Sequence, residues 1–140
     1  MKANELRIGN YVNVPRKEQS PFRVDYFDNV KVYQDNGTYE CTPIGEIPMH
    51  PLTWDLADIE GIPLTPEILE KCGFEEEITQ DIMYHHHSGF FFFELWDKEN
   101  RRSNGYWLKF LNKFDLEIKY LHQLQNLYFA ISGQELEVNL

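Results

Sequence analysis

The stretch Lys119-Tyr-Leu-His-Gln-Leu-Gln-Asn-Leu-Tyr-Phe-Ala-Ile-Ser-Gly133 constrains the fold most, because within it the apolar spacing passes from strand period to helix period and closes on a glycine. Leu124, Leu127, Tyr128 and Ile131 recur at helical intervals and predict a helix over His122 to Ser132, with Gln123, Gln125 and Asn126 on its surface. Gly133 supplies the left-handed residue that ends many helices. A strand that leads directly into an amphipathic helix implies a helix laid across a sheet, and therefore an α+β fold.

The residues before that helix read as an antiparallel β-meander, with strands at Ile78 to Tyr84, Phe90 to Trp96, Tyr106 to Leu111 and Leu116 to Leu121. Phe90 to Phe93 put two rings on each face, which suits a central strand covered on both sides. His85-His86-His87 reads as the polar part of a β-turn before Gly89, and Glu135-Leu-Glu-Val138 as a closing strand. Upstream, Thr65-Pro66-Glu67 has the order of a helix start: an N-cap hydroxyl, a proline at the first helical position, and an acid in the first turn. Ile68, Leu69 and Cys72 give this short helix its apolar side, and Gly73 its stop.

Residues 6 to 48 read as short strands at Leu6 to Val14, Phe22 to Tyr26, Val30 to Tyr33 and Thr38 to Thr42, a β-rich segment of SH3-like character. Asp35-Asn36-Gly37 is a hairpin signal, since Asn-Gly accepts the positive φ angles of a type I′ turn. Pro43, Pro48, Pro51 and Pro63 withhold backbone donors, so residues 43 to 63 read as a connecting segment packed on the domain by its many apolar residues. The expectation is one domain over residues 1–140, with a β-rich part at 1–62 and the helix, meander and C-terminal helix at 63–140. Its expected core includes Ile8, Val12, Leu69, Phe91, Phe93, Trp107, Ile118, Leu124, Tyr128 and Ile131.

At 140 residues with 42% hydrophobic content, the chain can bury roughly 70% of its unfolded surface without disulfides. Cys41 and Cys72 show no CxxC spacing, no signal peptide is legible, and no apolar run approaches the ~20 residues that cross a bilayer. The expected compartment is the cytoplasm, with no membrane role. Acids outnumber bases by 23 to 13, so the average surface repels phosphate backbones and disfavours nucleic-acid binding. The same charge admits an acidic DNA-mimic inhibitor.

His85 and His87 share one side of an extended segment, where neutral imidazoles are candidate metal ligands for a metal-dependent hydrolase. A catalytic zinc needs a third ligand, and His50, His122, Cys41, Cys72, Glu75 to Glu77 and Asp81 show no ligand spacing. His122 reads as a structural histidine. Ser20, Ser88, Ser103 and Ser132 lack a G-x-S-x-G elbow, and no phosphate-cradling glycine signature occurs, so no catalytic residue is assigned and no cofactor expected. Trp54, Trp96 and Trp107, with the many Tyr and Phe, supply material for a core and for an aromatic binding face.

Three pieces carry a resemblance: Glu5-Leu-Arg-Ile-Gly-Asn-Tyr-Val12, Ile62-Pro-Leu-Thr-Pro-Glu-Ile-Leu-Glu-Lys-Cys-Gly-Phe74, and Ile118-Lys-Tyr-Leu-His-Gln-Leu-Gln-Asn-Leu-Tyr-Phe-Ala-Ile-Ser-Gly-Gln-Glu-Leu136. In these the chain resembles an uncharacterised protein family of Bacteroides-type bacteria, their phages and mobile elements. The resemblance implies an accessory protein and brings no activity or site residues with it. The reading it favours is a non-enzymatic protein-interaction protein, with a homodimer as one form of partner. The metal-dependent hydrolase and the DNA mimic stay open beside it.

Overall fold

In a computed structural model the described residues are 5–13, 22–27, 38–43, 52–55, 59–79, 81–88, 91–97, 105–110 and 113–140. The chain divides into two compact units, Met1–Ile62 and Pro63–Leu140. In the first unit, β1 (Tyr11–Asn13), β2 (Phe22–Phe27), β3 (Thr38–Pro43), β4 (Leu52–Asp55) and β5 (Glu60–Gly61) form an antiparallel sheet. Its order, β4-β3-β2-β1-β5, is an SH3-like one: four strands in sequence, with the fifth returning to pair with the first.

The first strand is shorter than the sequence suggests. A turn at residues 7–10 precedes it, in which Asn10 Oδ1 accepts from the Arg7 amide at 2.7 Å and the Asn10 amide donates to the Arg7 carbonyl at 3.0 Å. That turn carries Ile8 outward, 52% exposed, so Ile8 is not core, while Leu6 and Val12 are buried on either side. Residues 43 to 63 are also more than a connection, since β4 and β5 lie within them. Both are edge strands, the position in a sheet that tolerates neighbouring prolines. Val30 to Tyr33 and the Asp35-Asn36-Gly37 turn lie outside the described residues.

The second unit opens with an isolated antiparallel bridge between Pro63 and Tyr120, where the Leu64 amide donates to the Lys119 carbonyl at 2.8 Å. Helix α1 (Pro66–Lys71) starts as its sequence predicts: the Thr65 hydroxyl accepts from the Ile68 amide at 3.3 Å, and Pro66 takes the first turn. It ends at Cys72 and at Gly73, whose φ of +80° needs a residue without Cβ. Leu69 and Cys72 are buried, as is Phe74 just beyond.

The meander follows as β6 (Glu75–Ile78), β7 (Ile82–Ser88), β8 (Phe91–Asp97), β9 (Tyr106–Phe110) and β10 (Lys113–Ile118), every neighbouring pair antiparallel. Residues 78 to 84 are not one strand. A turn in which both the amide and the hydroxyl of Thr79 donate to the Asp81 carbonyl folds them back, and the acidic run Glu75 to Glu77 becomes an edge strand. Nor do His85 to His87 form a turn: they lie within β7, paired with Glu94, Phe93 and Phe92 of β8.

Helix α2 (Leu121–Ser132) is set by Gln123, whose side-chain oxygen accepts from the Lys119 and Tyr120 amides at 3.0 and 3.2 Å, and by Gly133 at φ +71°. Its buried side is Leu121, His122, Leu124, Gln125 and Tyr128, one step round from the expected stripe, so Gln125 is interior while Leu127 and Ile131 are half-buried. Residues 135–138 form no strand. This segment packs Leu136 into the unit and donates the Asn139 amide to the Lys71 carbonyl at 3.0 Å. Leu64, Leu69, Leu95, Tyr106, Ile118, Leu121 and Leu124 are among the most buried residues, each worth about 1.5–3 kcal/mol in apolar transfer where the side chain is aliphatic. Trp107 is half-buried rather than core, and the side chains of Phe91 and Phe93 lie outside the described residues.

Candidate functional site

Alternation along the strands sorts the second unit's sheet into two faces. One face holds Tyr84, His86 and Tyr106 and meets the helices. Tyr84 and Tyr106 pack edge to face with centroids 5.5 Å apart, and the His86 ring lies 5.1 Å from Phe74 and 5.4 Å from Tyr128 of α2. The His86 Nδ1 is buried without a hydrogen-bond partner, so burial foremost, then the neighbouring His87 and His85, push its pKa below the usual histidine value. The Tyr84 hydroxyl donates to Glu76 at 2.9 Å; burial and then that bond raise its pKa. Burial also pushes the Cys72 thiol up to about 12.

The second face, turned away from the helices, carries the polar and aromatic groups with chemistry to offer. Met83, Trp96 and Trp107 stand in one cross-strand row, closed by Glu77 on β6 and Glu117 on β10. Beside it runs a second row, Glu75–His85–Glu94, continued by Lys109. Lys109 Nζ lies 3.3 Å from Glu94 and 5.4 Å from the centre of the Trp96 ring, while the Trp96 indole donates to the same carboxylate at 3.2 Å. Both tryptophans are half-buried. Direct cross-strand neighbours of this kind stand side by side on a stiff backbone.

His85 and His87 do share this face, with ring centroids 6.1 Å apart and planes at 88°, and His85 Nε2 is 3.7 Å from Glu75. Among the described residues, no group of three or more His, Cys, Asp or Glu side chains is placed to hold a metal ion. Of the third ligands the sequence offers, Glu75 lies beside His85, whereas His122 and Cys72 are buried and Glu76 points to the helix side, where it receives Tyr84. His50 lies outside the described residues, as does the Cys41 side chain. The acidic run does not form a row either, because strand alternation sends Glu75 and Glu77 one way and Glu76 the other.

His122 is structural in its placement, buried and stacked on Tyr120 at 5.7 Å with the planes 12° apart. Ser132 donates to the Tyr128 carbonyl at 2.7 Å and accepts from the Gln134 amide at 3.1 Å, which makes it part of the helix end. The Ser88 side chain and Ser20 and Ser103 lie outside the described residues. The Trp96–Trp107 pairing is not legible in the sequence, because register depends on the residues between the strands; its trace there is Trp107-Leu-Lys109 beside Glu94-Leu-Trp96, two alternating segments with matching phase. Among the described residues no helix is long and apolar enough to cross a membrane. Comparison with protein families, with curated proteins and with solved structures finds no match for this chain.

Proposed function

We propose that this chain is a non-enzymatic protein-interaction protein, an accessory protein of phage or mobile-element origin working in the cytoplasm, whose contact surface is the second face of the C-terminal sheet. The observation that supports it is the Trp96–Trp107 pair, half-buried on a strand-built platform. Tryptophan is enriched among the residues that dominate binding energy, and rings held on neighbouring strands lose little entropy when a partner covers them. The polar groups around them, Glu94 with Lys109 and Glu75 with His85, are engaged with each other in the way of a polar rim rather than aimed at a common reacting point.

The reading is tested by isolating the chain from its own cells with Trp96→Ala/Trp107→Ala as comparison. A stoichiometric partner, or a second copy, held by the parent chain and lost from the variant is the expected result. A parent chain recovered as a bare monomer, or a partner retained equally by the variant, would count against it.

A further inference from the structure

Resting on that reading, we infer that the partner presents a lysine- or arginine-bearing segment, and that one of its cations takes the place over Trp96 that Lys109 now occupies. Three groups already form a cation site at this point: the Trp96 ring face 5.4 Å from an ammonium, the Glu94 carboxylate 3.3 Å from that ammonium, and the Trp96 indole N–H holding the same carboxylate in position at 3.2 Å. Lys109 is the internal occupant. Its hold is weak, since an ion pair left 29% and 21% exposed amounts to at most about a fivefold preference over the open state.

The surroundings select the sign of the incoming group. Among the described residues, Glu75 and Glu77 are exposed on the edge strand of the same face and Glu117 stands across the row from Trp107, while strand alternation places Lys109, His85 and His87 there as well. Lys119 is engaged with Glu117 at 3.2 Å. A chain with a formal charge of −10 adds long-range attraction for a basic segment. An acidic segment would meet Glu75, Glu77 and Glu117 around the tryptophans, and a second copy would set these acids against their own copies.

The probe is a capped peptide of four lysines alternating with serines, titrated into the full chain while the Trp96 indole N–H resonance is followed, with a glutamate–serine peptide of equal length as control. The lysine peptide is expected to shift the Trp96 resonance in a salt-sensitive way. Lys109→Ala should tighten binding about three- to fivefold by removing the competitor, and Glu94→Gln should weaken it about fivefold. Lys109→Gln serves where the alanine variant folds poorly. No shift with the lysine peptide, or weaker binding after Lys109→Ala, overturns the inference. If the glutamate peptide or self-association moves the Trp96 resonance instead, the inference falls while the contact surface stands; if nothing moves it and Trp96→Ala/Trp107→Ala keeps every partner, both fall.

Discussion

Trp96 and Trp107 are direct cross-strand partners on β8 and β9, on the face of the sheet that the helices leave alone. Their neighbours one residue along, Leu95 and Leu108, are also register partners and point the other way into the interior. One hairpin thus builds a core layer and a contact surface from alternate residues.

The interior half of that arrangement is tested by Leu95→Ala. Leu95 is 0% exposed, and truncation leaves a cavity beneath the sheet; the expected loss is about 2–5 kcal/mol in denaturant unfolding. A loss under about 1 kcal/mol would contradict its place in the core.

Acid should weaken the packing of α2 on the sheet through His86. Its pKa is lowered on folding, first by burial, so the unfolded chain binds the proton more readily and stability falls as pH drops below the ordinary value of 6.5 toward the folded-state value. Above 6.5 the effect is absent. His86→Phe should flatten this part of the melting-temperature profile; an unchanged profile would assign the acid sensitivity elsewhere.

Gly73→Ala is expected to cost about 1–2 kcal/mol, because a φ of +80° strains any residue with a Cβ. The added methyl would also stand 3.4 Å from His86 Nε2, so the variant should alter the His86 titration as well as the melting temperature.

Cys72 should label only when the chain unfolds. With Cys41→Ser, the remaining thiol is buried and raised from 9.0 to about 12, so at about pH 8 its reaction with a thiol reagent should run roughly a hundredfold slower than in denaturant, or slower still. Equal rates would show that the pocket around α1 is open.

Local signals carried well from sequence to structure where one residue type has one use. Thr65, Pro66, Gly73 and Gly133 all sit where their chemistry places them, at helix ends. Signals that need a partner carried less. In α2 the stripes Leu121–Leu124–Tyr128 and Leu124–Leu127–Ile131 both have helical spacing, and the sheet beneath decides between them, taking Gln125 and His122 inward. Strand β6 is three glutamates and an isoleucine, poor by propensity, and exists because β7 offers it a ladder. By composition the three histidines read as a turn, yet His86 is an aromatic contact of Phe74 and Tyr128, while His85 and His87 belong to the opposite face.

The most direct measurement of the central claim is oxidative footprinting of the tryptophans in intact cells, compared with the purified chain as a monomer. Trp96 and Trp107 should be protected together in cells, with the buried Tyr106 unreactive in both samples. Equal oxidation of the two tryptophans in cells and in the purified monomer would contradict a partner on this face.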